Sequence, residues 1–183
     1  KEVLPVEIGK IKYLETLVIY GNTNTSLLPS PYRIGNALAE LKYLKNLTIS
    51  ALGITTIDKN ELKEPCKVLR TLDVSGNNFT SIPYDLTPTN YPELLNLSLT
   101  GNRRYSSITD LSTETRDNPG LRIDASSSSF KNLLKWEKLK SLSLSYNLIY
   151  GQLPTFINSY NGSLEYGVSA YTDEDILKND TLM

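Results

Sequence analysis

Asp73 and Asp124 are the carboxylates whose spacing could support catalysis. They fall on short apolar segments two repeats apart, and neighbouring strands lie about 4.8 Å apart, so a separation of roughly 10 Å is expected. An inverting glycosidase holds its acid and base at a comparable distance, with a water between them. That chemistry also needs an apolar pocket to keep one carboxyl protonated, and the face carrying these residues offers none. Cys66 is the other candidate, and a nucleophilic cysteine requires an electropositive, exposed setting and a base. It instead shares an apolar register with Ile11, Leu41, Tyr91 and Trp136, each three residues before the first leucine of a repeat, so a buried packing role is expected. The chain has no histidine and one cysteine, which removes a Ser-His-Asp triad, a zinc cluster and an internal disulfide framework. It also lacks a phosphate-binding Gly-rich loop and a calcium loop. No enzymatic activity, metal or cofactor is therefore expected.

What positions these residues is a repeat. Leu14-x-x-Leu17-x-Ile19-x-x-Asn22, Leu69-x-x-Leu72-x-Val74-x-x-Asn77, Leu94-x-x-Leu97-x-Leu99-x-x-Asn102 and Leu139-x-x-Leu142-x-Leu144-x-x-Asn147 share one pattern. Leu44-x-x-Leu47-x-Ile49 follows it with Leu52 at the Asn position, and Leu121-x-Ile123 is a degenerate copy with Ser126 there. Counted on the second leucine, from Leu17 through Leu47, Leu72, Leu97 and Leu121 to Leu142, the spacings are 30, 25, 25, 24 and 21. Alternating aliphatic residues make a strand with one buried face, and no single coil can bury that face alone, so successive coils must stack into a parallel sheet. The ladder of Asn22, Asn77, Asn102 and Asn147 is a structural device that satisfies backbone groups where the chain leaves each strand. Leu28-Pro29, Ile82-Pro83 and Leu153-Pro154 close the return halves, and residues 32–43 and 130–138 read as helical.

On these motifs the sequence, over roughly residues 4–157, resembles the leucine-rich-repeat superfamily. The resemblance implies an α/β solenoid shaped as a horseshoe, with a parallel sheet on the concave face and short helices or 3-10 turns on the convex side. The pieces Leu4-Pro5-x-x-Ile8-Gly9-x-Ile11 and Asn147-x-x-Tyr150-Gly151-x-Leu153-Pro154 are similar to the subclass common in plant-receptor ectodomains and bacterial surface proteins. The irregular spacing and the Lys, Asn and Tyr-rich loops favour a bacterial surface or secreted protein. An extracellular or cell-surface location is the resulting expectation. Residues 1–183 read as a single domain, with 1–13 as the tail of a preceding repeat, 103–117 as an insertion loop and 164–183 as a degenerate C-terminal cap.

The surface available for binding is the side of the strands opposite the leucines. Its columns run through Thr16, Val18 and Tyr20; Asn46, Thr48 and Ser50; Thr71, Asp73 and Ser75; Asn96, Ser98 and Thr100; Gly120, Arg122 and Asp124; and Ser141, Ser143 and Ser145. Most of these carry hydroxyls, which suit a solvated sheet and equally a shallow polar groove for a protein or glycan. The candidate binding face comprises Tyr20, Thr48, Asp73, Ser98, Arg122, Asp124, Ser143 and Tyr146, with Arg103, Arg104 and Tyr105 of the insertion as a rival anchor. Six Asn-x-Ser/Thr sequons occur, at Asn24, Asn46, Asn78, Asn96, Asn161 and Asn179, and those at Asn46 and Asn96 read as by-products of the repeat. Nineteen basic and 20 acidic residues leave a net charge of −1, so the overall balance offers no footprint for nucleic acid or an anionic membrane. No apolar run is long enough to span a bilayer. The expectation is a monomeric, non-catalytic recognition module. The alternatives are a spacer or stalk, or the substrate-docking segment of a larger receptor or effector enzyme.

Overall fold

A computed structural model of the chain describes residues 2–21, 32–102 and 121–150 and the backbone of 163–165. The leucine segments form strands β1 (Thr16–Tyr20), β2 (Asn46–Ser50), β3 (Thr71–Asp73), β4 (Asn96–Ser98), β5 (Arg122–Asp124), β6 (Ser141–Ser143), β7 (Leu148–Tyr150) and β8 (Ser163–Glu165). Six of them make one parallel sheet in the order β1-β2-β3-β4-β6-β8, and β5 pairs with β7 in a separate two-stranded sheet. The register places Leu17 beside Leu47, Leu47 beside Leu72, Leu72 beside Leu97 and Leu97 beside Leu142. Leu47, Ile49, Leu72, Val74, Leu97, Leu99, Leu142 and Leu144 are at most 1% exposed. Burying each such side chain contributes about 1.5–3 kcal/mol, so these eight residues dominate the cohesion between coils. Leu17 and Ile19 of β1 are only half-buried, because β1 ends the sheet and has a neighbouring strand on one side alone.

Where β2, β3, β4 and β6 end, the chain turns through a left-handed residue two positions after the second inward aliphatic. Gly76 (φ 64°) and Gly101 (φ 65°) take this conformation freely, while Ala51 (φ 56°) and Tyr146 (φ 57°) adopt it despite a Cβ. The asparagine that follows closes the turn. Asn77 donates from Nδ2 to the carbonyls of Ile49 (2.7 Å), Val74 (2.9 Å) and Ser75 (3.2 Å), and its Oδ1 accepts from the amides of Leu52 (3.1 Å) and Ile54 (3.2 Å). Asn102 Nδ2 donates to Leu99 O at 2.6 Å, and Asn147 Nδ2 to Leu99 O at 2.8 Å and Leu144 O at 2.9 Å. Asn147 Oδ1 accepts from the amide of Asn102 at 3.0 Å. These three asparagines are buried and link one coil to the next, as the ladder reading expects. Asn22 lies outside the described residues.

Beyond the asparagines, a second series of parallel contacts runs along the flank of the stack. The amide of Val3 donates to Arg33 O, that of Thr55 to Tyr32 O, that of Asn78 to Ile54 O and that of Arg122 to Thr80 O. The return halves are short. They comprise 3-10 turns at Val6–Lys10, Asn36–Leu38 and Pro65–Lys67, and helix α1 (Ser128–Leu133), whose N-cap Ser127 accepts from the Phe130 amide. Leu41, Cys66, Tyr91 and Trp136 are buried in the expected register, whereas Ile11 is 54% exposed. Trp136 Nε1 donates to Tyr91 O at 2.9 Å, tying two return segments together.

Three expectations change. The degenerate copy at Leu121-x-Ile123 does not form a strand of the main sheet, because β4 pairs directly with β6. It forms β5 instead, beyond the Asn102 turn, with Leu121 N donating to Asn102 O and Ile123 beside Ile149. Leu121 and Ile123 are therefore buried outside the main sheet. Residues 32–43, expected to be helical, hold only the three-residue turn Asn36–Leu38. Leu38 and Leu41 are buried there without an α-helix, since a coil this short turns more tightly in 3-10 geometry. Leu164 pairs with Leu142, so it takes the place of the second leucine and the expected cap at 164–183 opens on a strand of the sheet. The insertion 103–117, with Arg103, Arg104 and Tyr105, lies outside the described residues.

Candidate functional site

Alternation along the strands turns three rows of side chains away from the core. Strand pairing aligns the middle row as Val18, Thr48, Asp73, Ser98 and Ser143. The first row is Thr16, Asn46, Thr71, Asn96 and Ser141, in which Asn46 Nδ2 donates to Thr16 Oγ1 (3.1 Å) and Asn96 Nδ2 to Thr71 Oγ1 (3.3 Å). The third row runs from Tyr20 through Ser50, Ser75 and Thr100 to Ser145. The Ser50 and Ser75 hydroxyls lie 3.2 Å apart, and Thr100 Oγ1 lies 2.7 Å from Ser143 Oγ and 3.2 Å from Ser98 Oγ. A hydroxyl offers one donor and two acceptor lone pairs, so these pairs retain hydrogen-bonding capacity toward a ligand. Asp73 accepts from the Ser75 amide at 3.0 Å and places a carboxylate in the middle row. Tyr20, at one end of the third row, is 71% exposed, and Tyr146, in the turn that follows Ser145, is 66% exposed.

Two of the expected face residues are elsewhere. Arg122 and Asp124 belong to β5, which pairs with β7 rather than with the main sheet. β4 pairs directly with β6, so β5 lies between them in the chain but not in the main sheet. Asp124 accepts from the Ser126 hydroxyl (2.6 Å) and amide (2.8 Å), and these bonds hold its carboxyl below the usual aspartate range. Asp73 and Asp124 thus sit on separate sheets and form no acid–base pair. Cys66 is buried, with Sγ donating to Lys63 O at 3.3 Å, and burial pushes its thiol pKa up, away from nucleophilic character. Among the described residues no group of three or more His, Cys, Asp or Glu is placed to hold a metal, and no helix is long and apolar enough to cross a membrane. Of the sequons, Asn78 is buried and donates to Gly53 O, so it is closed to glycosylation in the folded chain. Asn24, Asn161 and Asn179 lie outside the described residues.

A further surface feature escaped the column reading. Tyr13 and Tyr43 stack with ring centroids 5.5 Å apart and planes at 26°, and Lys42 Nζ lies 5.8 Å from the Tyr43 centroid. Its signal in the sequence is the recurrence of Lys-Tyr-Leu at 12–14 and 42–44, in the register just before the strands.

The model of the Leucine Rich Repeat family matches residues 68–88 and 138–160. The first match spans β3, Asn77 and the Ile82-Pro83 turn, and the second β6, Asn147 and β7. A search of curated proteins finds no match. The two matched coils carry the same strand, turn and asparagine bonds that recur through the stack, which supports the leucine-rich-repeat superfamily.

Proposed function

We propose that this chain is a non-catalytic recognition module whose main sheet binds an extended segment of a partner protein. Leucine-rich repeats generally mediate protein binding. The observation that carries the reading is the third row of the sheet, where hydroxyls run from the exposed Tyr20 to Ser145, next to the exposed turn residue Tyr146. Five strands with four intervals of about 4.8 Å span roughly 19 Å, enough for about six residues of extended chain. The hydroxyls supply donors and acceptors along that length, and the tyrosines supply the aromatic area that dominates binding energy at most interfaces. Tyr146 adds a second indication. A non-glycine residue in left-handed backbone costs about 1–2 kcal/mol, and this side chain recovers little of that by packing, being largely in solvent. Strain kept at an exposed aromatic fits a role outside folding. Display on a bacterial surface, or secretion, belongs to the same proposal and is supported by the likeness of the loops and turns to that subclass. A glycan ligand on the sheet is the weaker form, since aromatic residues stand only at one end of the row and beside the other.

The test is selection of binders from a displayed peptide library, followed by calorimetry. Tyr20→Ala and Ser98→Arg should each weaken a selected peptide by about 30-fold, corresponding to about 2 kcal/mol. Tyr84→Ala, which alters a side chain 94% exposed and off the strands, should change nothing. Peptides that bind Tyr20→Ala and Ser98→Arg with unaltered affinity would remove the sheet as the site.

A further inference from the structure

The chain's near-neutral charge conceals a local segregation. Backbone hydrogen bonds join Glu15, Lys45, Arg70, Leu95 and Lys140 as successive rungs just before the strands, with Lys45 N donating to Glu15 O, Arg70 N to Lys45 O, Leu95 N to Arg70 O and Lys140 N to Leu95 O. Three residues earlier on each coil stand Lys12, Lys42, Lys67, Pro92 and Glu137. On the coils of β1, β2 and β3 this rim is therefore basic, and Lys12, Lys42, Lys67 and Arg70 are all exposed. Carboxylates bond two of the rim's cations, Glu15 to Lys45 (2.9 Å) and Glu64 to Lys67 (3.0 Å). On the later coils the rim is balanced, as the Lys138–Glu93 ion pair shows. The Tyr13–Tyr43 stack joins the first two coils of the basic stretch, and Tyr13 is 81% exposed.

We propose that this rim, formed by Lys12, Lys42, Lys67, Arg70 and the stacked Tyr13 and Tyr43, binds an anionic polysaccharide. This surface lies beside the sheet and does not depend on the peptide site proposed above. Two features select the ligand. First, equivalent side chains on successive coils recur at about 4.8 Å along the stack, so the cations form a periodic line that suits a polymer whose charges also recur. Secondly, the negatively polarised face of an aromatic ring attracts C–H groups and cations, and a pyranose presents a flat C–H face to such a platform. An acidic peptide would use the cations but has no corresponding need of the tyrosine stack. Like charges held side by side on an exposed rim also attract a polyanion from a distance, with a strong dependence on salt.

The experiment measures binding of the whole chain to immobilised dextran sulfate at several salt concentrations, with neutral dextran and polyglutamate as comparisons. The unaltered chain should bind dextran sulfate, more weakly as salt rises, and leave neutral dextran unbound. The triple variant Lys42→Gln, Lys67→Gln and Arg70→Gln should bind at least tenfold more weakly with a shallower salt dependence. Tyr13→Ala should bind several-fold more weakly with the salt dependence retained, and Tyr13→Phe, which keeps the stack, should bind normally. Tyr20→Ala should leave dextran sulfate binding unchanged, separating this surface from the sheet. The proposal fails if dextran sulfate does not bind, if either the triple variant or Tyr13→Ala binds like the unaltered chain, or if Tyr20→Ala weakens binding as much as they do. Polyglutamate binding as tightly as dextran sulfate would overturn it in favour of an acidic peptide ligand.

Discussion

Replacing Asn77 by leucine removes the best-bonded side chain of the ladder while keeping its volume nearly constant. Asn77 is 2% exposed and makes five hydrogen bonds to backbone groups on two coils. Of its partners, Ile49, Ile54 and Val74 are fully buried, whereas Leu52 and Ser75 reach solvent in part. The substitution therefore takes the Asn77 bond from the Ile49 carbonyl and the Ile54 amide, which water cannot readily reach, each at about 1–3 kcal/mol, while the Val74 carbonyl keeps a bond from Asn102 Nδ2 at 3.4 Å. Leucine returns part of this through its apolar surface, leaving an expected net loss of about 2–4 kcal/mol. That is a large fraction of the roughly 5–15 kcal/mol by which domains are stable. Urea unfolding followed by circular dichroism measures the loss, and amide hydrogen exchange locates it. The amides of Leu52 and Ile54, which Asn77 Oδ1 accepts from, should exchange faster than others of their coil. A loss below about 1 kcal/mol, with those amides still protected, would refute the claim that the asparagine satisfies the turn.

Three other perturbations follow from the same structure. Ala51→Gly should stabilise the chain by about 1 kcal/mol and Gly76→Ala should destabilise it by a similar amount, because both occupy the left-handed turn position. A Cβ on Gly76 meets nothing closer than 3.5 Å, so thermal unfolding of this pair reads the backbone alone. Tyr91→Phe should be neutral or stabilising, since the Tyr91 hydroxyl is buried with no partner among the described residues. Burial raises the Tyr91 pKa above its ordinary value of 10.0, so its neutral form supports folding below about pH 10. That contribution is lost at higher pH as the unfolded state ionises. Stability measured from pH 9 upward should therefore fall less steeply in Tyr91→Phe, and identical slopes would show that Tyr91 ionises without cost in the fold. Leu97→Ala should cost about 2–5 kcal/mol as a cavity in the shared core, since Leu97 is 1% exposed between two other strands.

The sequence by itself determined the stacking principle. The period-two leucines, the asparagine at the turn and the apolar register of Leu41, Cys66, Tyr91 and Trp136 are local patterns, and their burial follows from them because every coil repeats the same neighbours. The middle row of the binding face, from Val18 through Thr48 and Asp73 to Ser98, follows for the same reason. The place of Leu121-x-Ile123 could not be read this way. Its spacing mimics a strand of the sheet, but whether a segment joins the sheet or its flank depends on which strand lies next to β4, and only the tertiary pairing of Leu97 with Leu142 decides that. Arg122 and Asp124 left the face with it. The Tyr13–Tyr43 stack has a signal in the repeated Lys-Tyr-Leu, but only the stacking of coils brings rings 30 residues apart to 5.5 Å. Charge summed along the chain cancels, whereas charge summed along one edge of the stack does not, and the fold alone determines which residues share that edge.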